Sequence, residues 1–515
     1  MRPSSAVHHT VPDYLLGIDQ GTSGSRALIL DRAGQVRGYG YQPVQRLYPR
    51  PAWVEQDPVA LKVGVRGAIL EALQRAGCAA SDLAACGIAC QRDTDFVWDA
   101  RTRRPLADAI TWQDLRTLPL EEELRGWPGA AQARRRLGYW PGPYSAALHL
   151  KWRLRHQPAV AEAARAGRLR VGVSALWLLN ALGEPAGHLA DASLAQSMCL
   201  YDFRARAYWP EWLAWLGIPD TALPAVTPTV HDFGVLNLDG ARVPVRALIG
   251  AQQGALFGYD CRAPGDAECT HGTATFVNVC LGEPAPAPET IKVYLAWLLG
   301  DQATHCLEAD TTVTGAAVRW LRESARLFSS DSELDELADQ VPDAGGAVFV
   351  PAFTGLNVPY NDRAARATLF GLTLGHDRRH IARAFLDSIG FQVRAILEAM
   401  QAEAGVTVRQ LNVGGGLSAS NLACQLQADW LGVPVVRPDF KETTARAAAL
   451  LAGLGAGFWG DAAELPPMPG EHTVFEPSLS ADQRDAGYAQ WQHAVRTVQA
   501  WANPSGPQPP APNPS

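Results

Sequence analysis

Residues 14–31 read Tyr-Leu-Leu-Gly-Ile-Asp-Gln-Gly-Thr-Ser-Gly-Ser-Arg-Ala-Leu-Ile-Leu-Asp, two apolar runs joined by a turn of small residues. The pattern predicts a buried β-hairpin whose first strand ends near Asp19. The glycines of the turn allow backbone N–H groups to approach a ligand closely, and such amides beside the hydroxyls of Thr22 and Ser23 can hold phosphate oxygens. Asp19, at the strand end, is suited to hold Mg²⁺ through water. An ordinary hairpin turn is the alternative that these residues alone leave open.

Length and composition limit the classes of protein that the chain can belong to. A chain of 515 residues with 47% hydrophobic content favours two large domains with well-filled cores. The net charge is −7, and the only basic block is the short cluster at 134–136, which argues against nucleic-acid binding.

The cysteines and the terminal segments bear on the compartment. None of the nine cysteines forms a Cys-x-x-Cys pair, so they are predicted to be buried thiols in a reducing cytoplasm rather than disulfides or a zinc site. Residues 1–12 lack the apolar core of a signal peptide, and no run is long enough to span a bilayer. We therefore expect a cytoplasmic protein without membrane insertion.

Strand-like and helix-like stretches alternate along both halves of the chain, which indicates an α/β architecture. Strands are predicted at 35–44, 83–90, 96–98 and 348–350, and helices at 58–76, 146–155, 312–328, 380–403 and 444–454. The first helix should begin after Asp57 as its N-cap. Its predicted inner face consists of Val59, Val63, Ile69, Leu70 and Leu73.

Polar and glycine-rich turns follow several of these strands. Arg92 and Asp93 come directly after one of them, and the pair suits a hydroxylated ligand because Arg donates hydrogen bonds and Asp accepts them. A local ion pair between the two is the alternative. Glycine turns at 250, 270–273 and 414–416 can bring backbone amides against an anionic or flat ligand.

Several motifs, taken in order, resemble the FGGY family of carbohydrate kinases, and most closely its glycerol kinases. The resemblance covers about residues 14–461 and is carried by Asp-Gln-Gly-Thr at 19–22, Trp-Val-Glu-Gln-Asp-Pro at 53–58, Trp-Gln-Asp at 112–114, Pro-Ala-Phe-Thr-Gly-Leu at 351–356, Leu-Phe-Gly-Leu-Thr at 369–373 and Gly-Gly at 415–416.

The resemblance implies two actin-like (ribonuclease H-like) ATPase domains of α/β class that close over an interdomain cleft. It also implies transfer of the ATP γ-phosphoryl group to a hydroxyl of a small sugar or polyol, with Mg²⁺. The expected segments are a disordered N-terminus (1–12), an N-terminal domain (13–258), a C-terminal domain (259–465), a helical extension (466–502) and a disordered Pro-rich tail (503–515).

The resemblance also implies roles for individual residues. Asp19 is implied to bind Mg²⁺ through water. The residues implied to line the polyol pocket are Arg92, Asp93, Tyr144 and Gln252. The residues implied to contact the nucleotide are Thr22, Ser23, Arg26, Thr273, Gly315, Arg319, Gly416 and Ser420.

The main departure from the family pattern is Ala251. These kinases have Gly-Asp-Gln-Gln or a similar motif here, and their Asp takes the proton of the attacking hydroxyl, whereas this chain has Gly-Ala-Gln-Gln. General-base catalysis contributes about 10²–10⁴-fold, while phosphoryl transfer depends mainly on positioning and electrostatics. We therefore expect slow turnover rather than none. Asp93 and Asp95 are candidates for a substitute base, since alternate strand residues share a face.

Four smaller departures put glycerol itself in doubt as the substrate. They are Asp93 for the glycerol kinases' Glu, Gly414 for an Asp, Arg319 for a Gln and Ser420 for an Asn. A catalytically inactive, regulatory binder of nucleotide or polyol is the alternative to a kinase, followed by an ATP hydrolase or ligand sensor. The sequence leaves open the particular sugar or polyol, the oligomeric state and any allosteric effector.

Overall fold

The computed structural model describes residues 13–503 except 284, 287, 288 and 312, so the disorder predicted for 1–12 and for most of the tail lies outside the described residues. Two seven-stranded mixed sheets form the centres of two lobes. In sheet order, the first sheet consists of Val36–Pro43, Gly24–Asp31, Tyr14–Gln20, Leu83–Cys90, Ala241–Gly250, Val230–Leu238 and Gly183–Pro185. The second consists of Lys292–Leu299, Gln302–Asp310, Thr275–Gly282, Ala267–His271, Leu411–Gly415, Val435–Pro438 and His472–Phe475.

Helices and short strand pairs surround the two sheets. The helices are Pro58–Ala76, Leu118–Arg125, Ala130–Leu137, Ala146–His156, Pro158–Arg165, Ser174–Leu182, Ala192–Ser197, Pro210–Leu216, Ala251–Gly258, Gly315–Glu323, Asp331–Asp339, Arg378–Ala404, Asn421–Leu431, Thr443–Gly455 and Ala481–Ala502. The short pairs are Glu55–Gln56 with Ala109–Ile110, Phe96–Asp99 with Leu169–Gly172, Leu189–Asp191 with Ala225–Thr227, Tyr201–Asp202 with Ala207–Tyr208, and Val348–Val350 with Thr368–Phe370. No helix in the described part of the chain is long and apolar enough to cross a membrane.

The hairpin predicted at 14–31 is present and forms the second and third strands of the first sheet. Asp19 pairs with Arg26 across the two antiparallel strands, and the Gly21 N–H donates to the Gly24 carbonyl at 2.9 Å to close the turn. The second sheet repeats this plan with the hairpin of Ala267–His271 and Thr275–Gly282. In each sheet the first hairpin strand also pairs in parallel with a later strand, so the two hairpin turns hold equivalent positions in their lobes.

The first helix starts and ends where predicted, but its predicted inner face is partly wrong. The Asp57 side chain accepts from the Val59 N–H at 2.7 Å, yet the Val59 side chain itself points outward and is 52% exposed. The helix instead packs Ala68 and Ala72 against the neighbouring strand. A Cβ on Gly40 would lie 2.0 Å from the Ala68 carbonyl oxygen, so the glycines of that strand allow the helix backbone to approach. Of the predicted inner face, Ile69 and Leu73 are buried, whereas Val59, Val63 and Leu70 are exposed. The buried face consists of Leu61, Val65, Ala68, Ile69, Ala72 and Leu73.

Three other predictions differ from the structure. The helix predicted at 312–328 is shorter and spans Gly315–Glu323, with Thr312 outside the described residues. The extension predicted to be helical contains an edge strand of the second sheet, His472–Phe475, before its helix. Helix Thr443–Gly455, expected in the C-terminal domain, packs on the first sheet, where a Cβ on Gly17 would lie 1.9 Å from the Ala445 carbonyl oxygen.

Candidate active site

A cleft of about 1920 Å³ lies between the two lobes and is lined by both. Nine of the residues singled out from the sequence lie in its wall: Asp19, Thr22, Arg26, Arg92, Asp93, Tyr144, Ala251, Gln252 and Gly416. The first hairpin turn and the polar pair after strand Leu83–Cys90 meet there because their strands end at the same edge of the first sheet.

Asp19 presents an uncommitted carboxylate oxygen at this edge. Its side chain is buried, and its Oδ1 has no hydrogen-bond partner among the described residues. Arg26 Nη1 lies 3.4 Å from the other oxygen, and Arg26 Nε lies 3.2 Å from Glu442. Burial raises the pKa of Asp19 to about 6, because desolvation outweighs the attraction of Arg26. A cation bound here would stabilise the ionised carboxylate and lower its pKa.

The hairpin turn itself is held in place by side chains from other segments. Trp112 Nε1 donates to the Thr22 hydroxyl at 2.8 Å, and this hydroxyl lies 3.2 Å from Gln91 Oε1. Gln56 Nε2 donates to the Thr22 carbonyl at 3.0 Å. Ser23, at the tip of the turn, is exposed and lies outside the cleft wall. The turn is therefore a fixed loop, as a ligand-binding loop requires.

Arg92 and Asp93 do not form the local ion pair considered as the alternative. Arg92 Nη2 lies 2.5 Å from Glu308 of the second sheet, and its guanidinium stacks 4.4 Å from the centre of the Tyr294 ring. The ion pair therefore joins the two lobes across the floor of the cleft. Asp93 takes no part in this ion pair and accepts a 3.4 Å hydrogen bond from the Tyr139 hydroxyl.

The Asp93 carboxyl is suited to exchange a proton near neutral pH. Burial raises its pKa to about 7, although the neighbouring cations Arg92 and Lys292 act in the opposite direction. Glu308 adds to the upward shift, and the Tyr139 hydrogen bond opposes it. Asp93 also has a backbone φ of 58°, so it lies in the left-handed region.

Asp95, the other candidate for a substitute base, lies outside the cleft wall. It is buried in an ion pair with Arg153, and His149 Nδ1 lies 3.2 Å from its Oδ1. Burial alone would raise the pKa of Asp95, but Arg153 and His149 hold it below its ordinary value. The expected sharing of one face with Asp93 fails because the left-handed backbone at 93 breaks the alternation before strand Phe96–Asp99 begins.

Position 251 presents a methyl group to the cleft at the start of helix Ala251–Gly258. The preceding Gly250 N–H donates to Ser193 Oγ at 3.1 Å, so the strand end is fixed in place. Gln252 reaches the second lobe, where Asn278 Nδ2 donates to its Oε1 at 3.3 Å. Tyr144 donates to the Trp140 carbonyl at 2.7 Å, which leaves its oxygen able to accept a hydrogen bond.

The residues that sequence reasoning missed form a polar row on the second sheet. Lys292, Glu308, Asn278 and Glu268 are direct register partners on four neighbouring strands, so their side chains share one face. Lys292 Nζ lies 2.9 Å from Asp310, which also faces the cleft. The available signal was the alternation of acidic residues at 308 and 310 at the end of a mostly buried strand.

Most residues expected near the nucleotide lie outside the cleft wall. Thr273 is exposed on the second hairpin turn, and the Gly315 N–H donates to the Gly272 carbonyl at 3.1 Å. Arg319 is exposed on the following helix. The Ser420 hydroxyl caps helix Asn421–Leu431 through the Ala423 N–H at 2.9 Å and donates to Asp335 at 2.8 Å.

Two solved structures with this arrangement of lobes are a glycerol kinase and a xylulose kinase. The protein shares its fold with the glycerol kinase of Plasmodium falciparum, at a TM-score of 0.89 and 24% identity, over 94% of this chain and 98% of that one. A xylulose kinase from Rhodospirillum rubrum matches at a TM-score of 0.85 and 22% identity, over 95% and 100% of the two chains. These neighbours confirm the expected fold of two actin-like α/β domains around a cleft.

The sequence comparisons define the family. Residues 14–258 match the model of the N-terminal domain of the FGGY family of carbohydrate kinases, and residues 267–456 match that of its C-terminal domain. A glycerol kinase from Symbiobacterium thermophilum is 41% identical over 95% of this chain and 99% of its own length, and one from Halorhodospira halophila is 40% identical over 96% and 98%. The chain belongs to the FGGY family of carbohydrate kinases.

Proposed function

We propose that the protein transfers the γ-phosphoryl group of ATP to a hydroxyl group of a small polyol or sugar. The observation that carries this proposal is the single cleft in which the fixed turn with Asp19 opens beside Arg92, Asp93 and Tyr144. A phosphate-binding turn and a set of hydroxyl-binding groups in one cavity provide the proximity that phosphoryl transfer requires. Membership of the FGGY family supports the same reaction class.

Asp19 suits Mg²⁺ held through water. Its free oxygen is buried and unpartnered, and the described residues contain no group of three or more His, Cys, Asp and Glu side chains arranged around a metal. One carboxylate, with the remaining ligands from phosphate and water, is the usual pattern for Mg²⁺ at nucleotide sites. When bound, the ion would neutralise charge on the phosphates.

The substrate hydroxyl would be oriented and deprotonated by residues of the first lobe. Arg92 and Gln252 can donate hydrogen bonds to substrate oxygens, and the Tyr144 oxygen can accept one. Asp93 takes the proton as the hydroxyl oxygen bonds to the γ-phosphorus and the bond to the ADP oxygen breaks. A base with a pKa of about 7 is well matched to this task at neutral pH. Asp93 thus replaces the carboxylate that is lacking at position 251.

The nucleotide would lie along the two hairpin turns, which hold equivalent positions in the two lobes. The residues proposed to contact it are Thr22, Ser23, Arg26, Thr273, Gly315, Arg319, Gly416 and Ser420. Gly416 has open space where a side chain would start, which leaves room for a flat base. Closure of the lobes would be needed to bring the exposed Thr273 turn to the phosphates.

A cytoplasmic location fits this reaction. All nine cysteines are free thiols, and eight of them are buried. Free cysteines in such number are typical of a reducing compartment.

The methyl group at position 251 favours one other candidate, an inactive binder of polyol or nucleotide. Release of ADP, measured with ATP, Mg²⁺ and a panel of polyols and ketoses, separates the two. Turnover by the wild type supports the kinase. A silent wild type with an active Ala251→Asp variant would identify a lapsed kinase, and silence of both with polyol binding seen by calorimetry would establish the binder.

A further inference from the structure

We propose that Lys292 and Asp310 form a subsite on the second lobe that binds a substrate hydroxyl beyond the third carbon. The preferred substrate is then a neutral polyol or sugar with four or more carbons. This inference rests on the proposed phosphotransfer to a polyol or sugar and specifies the class of substrate.

The two side chains form a fixed pair at the cleft surface. Lys292 Nζ lies 2.9 Å from Asp310 Oδ1, and Asn357 Nδ2 donates to Asp310 Oδ2 at 2.6 Å. The side chains remain 24% and 18% exposed, respectively, and both line the cleft. The pair is therefore held in position while still open to a ligand.

The pair has unused hydrogen-bonding capacity. An ammonium group has three donors, and Asp310 takes one of them. The Asp310 carboxylate accepts two hydrogen bonds from the described residues, whereas a carboxylate has about four acceptor positions. A hydroxyl group both donates and accepts, so one hydroxyl can satisfy a free donor of Lys292 and a free acceptor of Asp310 together.

The subsite adjoins the residues proposed to bind the reacting end of the substrate. Glu308 connects the two regions, because its Oε2 lies 2.5 Å from Arg92 and its Oε1 lies 3.7 Å from Lys292. Lys292 Nζ also lies 5.9 Å from the centre of the Tyr144 ring. Arg92, Tyr144 and Gln252 already provide partners for a three-carbon polyol, so the Lys292 pair extends the binding surface beyond it.

The charges around this surface favour a neutral substrate. Three carboxyl groups, Asp93, Glu308 and Asp310, line the same part of the cleft as two cations, Arg92 and Lys292. Lys292 is already compensated by its acidic neighbours, so a substrate carboxylate would gain little from it and would be repelled by the others. Sugar acids should therefore be poorer substrates than the corresponding alditols.

Steady-state kinetics over a series of chain lengths tests the subsite. The substrates are glycerol, erythritol, three pentitols (ribitol, xylitol and arabinitol) and a five-carbon aldonate. We expect kcat/KM for erythritol or a pentitol to exceed that for glycerol by about tenfold or more, the gain typical of a hydrogen bond to a charged group. The aldonate should be poorer than its alditol.

The Lys292→Met/Asp310→Asn double variant removes both charges together and so leaves no unpaired ion. It should lower kcat/KM for the pentitols to about the value for glycerol. Because Lys292 also lowers the pKa of Asp93, wild type and variant are compared at a pH high enough to ionise Asp93 in both, where kcat/KM for glycerol should change much less than that for the pentitols. Lys62→Met, outside the cleft, is the matched control and should keep the preference. Thermal unfolding of each variant checks that it is folded.

Two results would overturn the subsite: glycerol as the best substrate, or an equal loss for glycerol and pentitols in the double variant. Absence of turnover with every substrate would instead refute the proposed function. In that case the subsite is tested separately, by calorimetric measurement of pentitol binding. Pentitol binding that is lost in the double variant supports it, and pentitol binding that is unchanged or absent from the wild type rejects it.

Discussion

Replacement of Asp93 by Asn is the sharpest test of the proposed chemistry. The Asn side chain has the same shape and its oxygen can still accept the 3.4 Å hydrogen bond from Tyr139, but it cannot take a proton. Loss of a general base lowers kcat by about 10²–10⁴-fold. Substrate binding should be affected much less, because Arg92, Tyr144 and Gln252 are unchanged, so the effect should fall on kcat rather than on KM.

A second substitution should restore what the first removes. Ala251 is the first residue of helix Ala251–Gly258 and faces the cleft, so Ala251→Asp places a carboxylate beside the bound substrate. A carboxylate at a helix N-terminus is stabilised by about 0.3–1 kcal/mol, so it will be ionised at neutral pH. We expect the Asp93→Asn/Ala251→Asp variant to recover kcat to within about tenfold of the wild type.

The assay couples ADP release to NADH oxidation at saturating ATP and polyol, and calorimetry reports polyol binding for each variant. The control is Asp93→Asn/Ala251→Asn, which adds a side chain of the same shape without a base and should stay inactive. If Asp93→Asn keeps kcat within about twofold of the wild type, far from the roughly 10²-fold minimum expected for a lost base, Asp93 is not the base. If the carboxylate introduced by Ala251→Asp gives no recovery, position 251 does not face the attacking hydroxyl.

Three further predictions follow from the pKa shifts and the packing. Because the base must be ionised, kcat/KM should fall as pH drops below about 7, the pKa of Asp93 in the free protein, and the rescued variant should keep its kcat/KM to lower pH, as a pH–rate profile will show. Asp95→Asn breaks a buried ion pair and should lower the free energy of unfolding in urea by about 3–5 kcal/mol without changing kcat of the folded enzyme; a large loss of kcat at full stability would contradict this. Gly87→Ala places a Cβ 1.9 Å from the Ala448 carbonyl oxygen and should destabilise by about 1–3 kcal/mol or more. In contrast, Gly64→Ala, whose nearest neighbour is 3.9 Å away, should be neutral or stabilise by up to about 1 kcal/mol; equal effects of the two substitutions would show that the close approach costs nothing.

The features that the sequence predicted well are those that local patterns determine. The hairpin at 14–31, the N-cap Asp57 and the strand at 83–90 depend on neighbouring residues alone, and the structure has all of them. Motif resemblance then supplied the fold of two lobes and eight of the first-lobe residues that line the cleft.

The features that the sequence analysis missed depend on pairing between segments that are distant along the chain. The close packing of Ala68 and Ala72 of the first helix depends on Gly40 and Gly38 of another strand, and the sequence of the helix alone does not indicate this contact. The row from Lys292 to Glu268 exists only once four strands are in register. The position of Asp95 depends on the positive φ of Asp93, and a non-glycine residue gives little sequence signal for that conformation.

Helix Thr443–Gly455 has a consequence for how the chain is made. The grooves above Gly17 and Gly87 are filled by the backbone of a segment that follows nearly all of the second lobe in sequence. A nascent chain on the ribosome therefore exposes one face of its first sheet until synthesis has passed residue 455. A fragment that stops at 258 would carry this uncovered surface permanently and would be a target for chaperones and proteases.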